Sequence, residues 1–357
     1  DAPAATEAPA ATEAPAAAEA PAAAEAPQAP AAPAESASAP AAPAESTPAP
    51  AASGQSPSPA GGRGSHVVVI GSGPGGYTAA FRAADLGLKV TLVERYETLG
   101  GVCLNVGCIP SKALLHAARV VGEAEEMAEH GISFGAPKVD LPKLVGWKQD
   151  VVDKLTGGLA GMAKQRKIEV VTGVARFTGP QAIEVDGRPI GFDSCIIAAG
   201  SSAVKLPFLP EDPRIIDSTA ALSPQDLPGR LLVIGGGIIG LEMATVYHAL
   251  GVKVTVVEML EQLLPGCDPD LVRALHRHVQ SRYEAIMLGT QVTAVKAQKR
   301  GLRVSFSDGR DQSFDRILVA VGRTPNGRGL DAERAGVHVD ERGFIPVDRR
   351  QRTNVPG

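Results

Sequence analysis

Short runs of apolar, β-branched residues alternate along the chain with longer stretches in which apolar positions recur every three or four residues. Residues 65–70 (SHVVVI) predict a buried strand, the periodicity over 77–86 predicts a helix, and 88–93 predicts a second strand that Glu94 closes. The same order returns later: a strand at 230–234, a helix at 241–250, and a strand at 252–257 that Glu258 closes. Between the two copies, 147–163 has a helical pattern. Residues 168–172, 175–177 and 182–185 alternate with turn signals, as in a small antiparallel meander. Residues 194–198 predict a buried strand running into Ala199, Gly200 and Ser201. After the second copy, 291–296 and 302–306 predict strands with a turn at Asp308-Gly309, and 316–321 a further strand ending in GRTPN (322–326).

Each copy carries a glycine-rich turn between its first strand and its helix. The first is GSGPGG (71–76), the second GGGIIG (235–240). Glycines at this spacing permit a tight turn and a close approach of backbone to pyrophosphate at a helix N-terminus. The acid at the end of the second strand is placed to accept hydrogen bonds from ribose hydroxyls. From first glycine to acid is 23 residues in both copies, 71 to 94 and 235 to 258. A lone glycine motif is weak, but two complete strand–turn–helix–strand–acid units predict two nucleotide sites. The fold class is therefore α/β, with two Rossmann-like dinucleotide-binding domains.

Composition divides the chain. Residues 1–60 are almost entirely Ala, Pro, Glu, Ser and Thr, hold Asp1 and six Glu, and have no Lys, Arg or aromatic residue. Such a segment cannot offset its ordering entropy, and is expected to be disordered, with its prolines keeping it extended. It reads either as an inert tail or, better, as a linker to a mobile domain covalently attached upstream, because a tail has little need of stiffness. The expected division is 1–61 linker, 62–208 first nucleotide-binding domain, 209–336 second nucleotide-binding domain, and 337–357 the start of a further region. A crossing punctuated by proline at 207–213 marks the boundary between the two nucleotide domains. The chain starts at Asp1 rather than Met, which suggests a piece of something longer. A net charge of −4 suggests no nucleic-acid partner. No stretch of ~20 apolar residues predicts a membrane helix. Four Cys are too few for a secreted disulfide scaffold and suit a cytoplasmic protein with one reactive pair.

That pair is Cys103 and Cys108, within GGVCLNVGCIPSK (100–112), followed by a helix-like run over 112–121. Three readings are open. A metal half-site needs two more ligands, and Cys195 in an apolar strand, the isolated Cys267 and a single His116 supply no such set. Two unrelated core thiols are a second reading. The third is a redox pair, whose thiolate a nearby helix N-terminus would stabilise, lowering its pKa.

The cysteine motif, with a glycine turn 29 residues before it and a second well after it, resembles the flavoprotein disulfide reductases. HGISFG (130–135), LTGGLAGMAK (155–164), IIAAGS (196–201), GGGIIGLEMATVYHALG (235–251) and VGRTPN (321–326) extend the resemblance from about residue 65 to 357. They point to the branch that oxidises dihydrolipoamide, the dihydrolipoamide dehydrogenases of 2-oxoacid dehydrogenase complexes. The resemblance implies that Gly71, Gly73 and Gly76 hold the pyrophosphate of FAD and Glu94 its ribose. Gly101, Cys103, Lys112, Ala175, Ala199, Gly200 and Ser201 would be further FAD contacts. Gly235, Gly237 and Gly240 would hold the pyrophosphate of NAD and Glu258 its ribose, with Val292 and Gly322 as further NAD candidates. Cys103 would be the interchange thiol, Cys108 the thiol beside the flavin, and Lys112 would pair with Glu242 near the reactive ring. A carboxylate at 258 with no Lys or Arg in 259–265 favours NAD over NADP.

The implied reaction is exchange of dihydrolipoamide with a Cys103–Cys108 disulfide, electrons then passing through FAD to NAD+. The implied partners are a lipoyl domain of the complex and a second copy of the full-length chain, as a homodimer. In that family a His–Glu base and a flavin-ribitol motif come from a C-terminal region. None of His66, His116, His130, His248, His276, His278 or His338 lies in such a context, so this chain alone is expected to be inactive. Two alternatives are a glutathione- or mercuric-reductase-like enzyme, and a non-catalytic nucleotide-binding adaptor.

Overall fold

A computed structural model describes residues 65–357; the expected linker at 1–61 lies outside the described residues. The first lobe begins with β1 (His66–Ile70), α1 (Pro74–Asp85) and β2 (Lys89–Glu94). Helix α1 starts three residues before the apolar period does, because Pro74 presets the backbone at the first turn and its missing N–H has no intrahelical partner to lose. Next come α2 (Gly101–Val106), α3 (Cys108–Glu126), a 3-10 turn (Met127–His130) and α4 (Leu141–Gln165). Both cysteines thus lie inside helices, where the sequence pattern placed a helix only from 112. Asp140 caps α4 by accepting from Lys143 N at 3.1 Å.

Strands β3 (Glu169–Thr172), β4 (Ala175–Gly179), β5 (Ala182–Val185), β6 (Arg188–Gly191) and β7 (Ser194–Ile197) complete the lobe. Its parallel sheet has the order β3-β2-β1-β7, and β4-β5-β6 form a separate antiparallel meander. The strand at 168–172, expected in the meander, is therefore the edge of the parallel sheet, with Thr91 opposite Glu169. Period-two alternation does not specify a partner. Gly173, at φ +145°, turns the chain out of the parallel sheet before β4 begins. Strand β7 is half-buried rather than buried, with Ile196 38% exposed.

The chain then crosses through β8 (Ser201–Ala203) and enters a second lobe of the same build. It contains β9 (Ile215–Ile216), α5 (Ser218–Ala221), β10 (Arg230–Ile234), α6 (Ile238–Ala249), β11 (Lys253–Val257), α7 (Pro269–Gln280) and β12 (Ala285–Met287). An antiparallel meander comes next, β13 (Val292–Ala297), β14 (Leu302–Phe306) and β15 (Asp311–Phe314), then β16 (Arg316–Val319) and β17 (Arg323–Pro325). The parallel sheet has the order β12-β11-β10-β16-β9. The sequence pattern missed α7, whose inward side consists largely of Val272 and Val279 amid charged residues. In both lobes one face of the sheet is covered by helices and the other by a meander. Full burial of side chains such as Val68, Val69, Leu231 and Leu232 contributes roughly 1.5–3 kcal/mol each.

Outgoing β8 and returning β17 pair antiparallel, so the two crossings between lobes brace each other. Beyond them Leu330, Ala332, Ala335 and Val337 pack with Val68 and Phe177 of the first lobe. Residues 327–336, grouped in the sequence with the second half, thus belong by packing to the first. Among the described residues no helix is long and apolar enough to cross a membrane.

Candidate active site

At the end of β1, Gly71 adopts φ +98°, and its N–H donates to Val93 O at 2.8 Å. A Cβ on Gly71 would stand 2.2 Å from Ala198 O, and one on Gly76 1.8 Å from Gly71 O. Only glycine permits these approaches. Gly73 caps α1, and a Cβ on it would meet nothing within 4 Å, so this face of the turn is open. Glu94 is buried. Its Oε2 accepts from Ser72 N at 2.9 Å and Ser72 Oγ at 2.6 Å, and its Oε1 from Tyr96 N at 3.2 Å. Each carboxylate oxygen can accept more than one hydrogen bond, so capacity remains for a ligand.

The cysteine helices are built directly onto this turn. Gly100, at φ +111°, caps α2 and donates to Ser72 O at 3.0 Å. A Cβ on Gly101 would lie 2.6 Å from Gly73 Cα, which brings Cys103 against the glycine loop. Gly107 breaks the helix, and Cys108 begins α3. Both thiols are free, Cys103 half-buried and Cys108 exposed. Burial, then the side-chain hydrogen bond and charge of Cys108, push the Cys103 pKa up to about 11, only partly offset by the Cys108 backbone N–H and by Lys112. The helix-start argument expected a lowered thiol pKa. At Cys103 desolvation by its packing and competition with a second sulfur outweigh it. One turn beyond Cys108 on the same face of α3, Lys112 Nζ stands 2.6 Å from Glu242 Oε1 on α6. The hydrogen bond to Glu242 raises the Lys112 pKa and keeps it cationic.

A cavity of about 740 Å³ gathers Gly71, Gly73, Glu94, Gly101, Cys103, Cys108, Lys112, Ala175, Ala199, Gly200, Ser201 and Glu242. Gly76 lies behind the turn and shapes it without lining the cavity. The sequence pattern missed Ser72, which ties Glu94 to Gly100, and Asn326, whose Nδ2 donates to Ala199 O at 2.9 Å. Asn326 was legible only as the end of VGRTPN.

The second turn repeats the first. Gly235, at φ +109°, donates to Val257 O at 2.9 Å, and a Cβ on Gly240 would meet Gly235 O at 2.1 Å. Gly237 is open, as Gly73 is. Glu258 Oε2 accepts from Gly236 N at 2.7 Å, and its Oε1 from Leu260 N at 2.9 Å. A cavity of about 590 Å³ gathers Gly235, Gly237, Glu258, Val292 and Gly322, with Gly240 again behind the turn. Both volumes are in the range of small-molecule and cofactor sites. The two cavities share Ser218, Ile238, Ile239 and Arg323 as a common wall. Among the described residues no histidine lines either cavity, and no three His, Cys, Asp or Glu groups converge as a metal site would need.

Residues 65–357 match the family described as pyridine nucleotide-disulphide oxidoreductase. The chain is 58% identical over 301 residues to the dihydrolipoyl dehydrogenase of Vibrio cholerae, covering 82% of this chain and 63% of that protein. It is 55% identical over 302 residues to the dihydrolipoyl dehydrogenase of Haemophilus influenzae, with 82% and 63% covered. It thus spans about 63% of the length of these curated relatives. Among solved structures, the HOCl-induced flavoprotein disulfide reductase RclA of Escherichia coli superposes with TM-score 0.72 at 30% identity, covering 81% of this chain and 64% of that one. LpdA of Mycobacterium tuberculosis superposes with TM-score 0.74 at 26% identity, with 82% and 66% covered.

Proposed function

The chain belongs to the pyridine nucleotide-disulphide oxidoreductase family, and on that premise we propose that it acts as a dihydrolipoamide dehydrogenase, oxidising protein-bound dihydrolipoamide with reduction of NAD+. The observation that carries the proposal is the convergence of Cys103 and Cys108 with a nucleotide-type glycine turn in one cavity that shares a wall with a second such cavity. The names of the curated relatives support the choice of lipoamide.

FAD fits the first cavity. Gly73 leaves space where a pyrophosphate would approach, and Glu94 keeps acceptor capacity for a ribose. Gly71, Gly73, Gly76 and Gly101 would hold it, with Ala175, Ala199, Gly200 and Ser201 along its length. Bound there, FAD supplies two-electron chemistry between a dithiol and a nicotinamide. NAD fits the second cavity in the same terms, at Gly235, Gly237, Gly240 and Glu258, with Val292 and Gly322 beside it. The first lobe with its returning 327–357 segment serves as the FAD domain, and the second lobe as the NAD domain.

The chain's own chemistry is thiol–disulfide exchange. A dihydrolipoamide thiolate attacks Cys103 Sγ of the Cys103–Cys108 disulfide; the S–S bond breaks and Cys108 leaves as thiolate. The second lipoamide thiolate attacks its partner sulfur in the mixed disulfide, releasing lipoamide and the Cys103 thiolate. With its pKa near 11, Cys103 takes up a proton at neutral pH. The protons leaving dihydrolipoamide need a base; the resemblance implies a His–Glu pair, and no histidine lines the cavity among the described residues. Lys112, held cationic by Glu242, lies one turn beyond Cys108 on α3 and lines the same cavity. A lipoyl domain as substrate carrier, a homodimer and a cytoplasmic setting complete the proposal.

Steady-state rates of the full-length protein with dihydrolipoamide and NAD+, compared with glutathione disulfide and NADH, test the substrate. Preference for the first pair is expected. Preference for the second would move the chain to another disulfide reductase, a reading to which the structural likeness to RclA lends support.

A further inference from the structure

Asn105 stands between the two cysteines and takes no part in the exchange itself. Both hydrogens of its amide are engaged: Nδ2 donates to Gly101 O at 2.9 Å and to Leu99 O at 3.2 Å. Its Oδ1 accepts from Thr98 Oγ1 at 2.9 Å. Two carbonyls need an N–H donor and a hydroxyl can meet the oxygen, so the three partners fix which way the amide points. Helix α2 has little of its own to hold it. It is six residues long, and Gly100 at its N-cap brings no side chain to the first N–H groups. A helix so short is marginal by itself. Asn105 is its next-to-last residue, and the side chain reaches back along the helix to the segment before it. Cys103 lies inside that clamp, between Gly101 and Asn105.

The same clamp bears on the distance to the second sulfur. After Asn105 the chain folds back on α2, and a Cβ on Gly107 would lie 2.8 Å from Val102 O and 3.2 Å from Cys103 Cα. Cys108 is fixed from its own side, where Ser111 N donates to Gly107 O at 3.0 Å and Ser111 Oγ to Cys108 O at 3.1 Å, in the first turn of the long helix α3. Cys103 is thus the sulfur whose place depends on the short helix. A disulfide forms only where the two Cα atoms come within about 7 Å with their Cβ vectors facing, so freedom in α2 acts directly on the bond.

We propose that Asn105 is a positioning residue for the disulfide: by holding α2 closed it keeps Cys103 within reach of Cys108 and raises the effective concentration of one thiol at the other. The inference rests on reading the pair as redox-active, whichever substrate it serves. Equilibration of the full-length protein in graded mixtures of glutathione and glutathione disulfide, followed by alkylation and peptide mass spectrometry, tests it. Oxidation forms the Cys103–Cys108 bond, breaks the glutathione S–S bond and passes two protons to the two glutathione thiolates released. Asn105→Leu keeps the volume, favours a helix and removes both donors. It is expected to move the midpoint about tenfold toward the dithiol, a size that two neutral hydrogen bonds can carry. A role in helix formation alone predicts no such shift, because Leu is the better helix former. Thr98→Val, at an exposed position, keeps the donors but releases Oδ1, and is expected to move the midpoint about twofold the same way. An unchanged midpoint in Asn105→Leu, or in Thr98→Val should Asn105→Leu not fold, would overturn the assignment while the redox pair stands. Failure of the unsubstituted protein to form the disulfide at any ratio would overturn the redox-pair reading, and this inference with it.

Discussion

At Gly71 and at Gly235 the chain makes the same turn with the same bonds. Each first glycine donates to the strand that carries the acid, at 2.8 Å to Val93 O and 2.9 Å to Val257 O. Each acid accepts from the residue after that glycine and from the residue two beyond itself. The correspondence runs further: Gly100 donates to Ser72 O and Leu264 to Gly236 O, both across 28 residues. Even the thiols match, since Cys103 and Cys267 each stand 32 residues beyond their first glycine. The two lobes part company beyond these turns. In the first lobe the chain folds into α2 and α3, which place a second sulfur and Lys112 over the turn. In the second, Cys267 lies exposed in a loop that leads into α7. The glycine turn with its terminal acid is therefore a repeated part, and the pair of sulfurs with Lys112 occurs once.

The largest effect expected from this pairing comes from the glycines behind the turns. Gly76→Ala should abolish FAD retention, because its Cβ would meet Gly71 O at 1.8 Å. Gly240→Ala should abolish NADH binding, its Cβ meeting Gly235 O at 2.1 Å, while FAD is kept. Flavin absorbance and NADH titration read the two losses separately. If either substitution removed both ligands equally, the sites would not be separate cradles.

A smaller contrast lies in the matched thiols. A raised pKa favours the neutral thiol, so below pH 9 Cys103 carries less thiolate than an ordinary cysteine, by roughly a hundredfold for a pKa of about 11. In the reduced protein, iodoacetamide labelling of Cys103 followed by mass spectrometry should be slow at pH 8. It should rise about tenfold per pH unit toward 11. The exposed Cys267 should label before Cys103. Equal rates would show that the first turn does not restrain its sulfur.

The smallest expected effect separates the residues at the second position of each turn. Ser72→Gly removes the hydroxyl that donates to Glu94 and accepts from Gly100, and should cost about 1 kcal/mol. Gly236→Ser should cost more, about 1–3 kcal/mol, because its Cβ would stand 2.6 Å from Leu263 Cδ2 and 3.1 Å from Glu258 Cβ. Urea unfolding of both variants reads the order. A reversed order would break the claim that the first turn has room for its serine and the second does not.

Much of this was legible from residues alone. The two turns were readable because steric need at Gly71 and Gly235 leaves glycine no substitute, and because both copies end in an acid at the same distance. The pairing of Lys112 with Glu242 was visible only through resemblance, since 130 residues separate them. Strand β3 was misplaced because alternation does not say which sheet a strand joins. The raised pKa of Cys103 was not legible, because burial is set by the whole fold. Ser72 passed unnoticed because its importance lies in a buried hydrogen bond to Glu94, 22 residues away.

The central claim is that two electrons can pass between the second cavity and the cysteine pair of the first. Anaerobic addition of NADH to the oxidised, FAD-loaded protein, followed by alkylation and peptide mass spectrometry, tests it directly. The predicted result is that Cys103 and Cys108 change together from a disulfide to two alkylated thiols, while labelling of Cys195 and Cys267 stays as it was before NADH. A Cys103–Cys108 disulfide that persists with NADH bound would contradict the account.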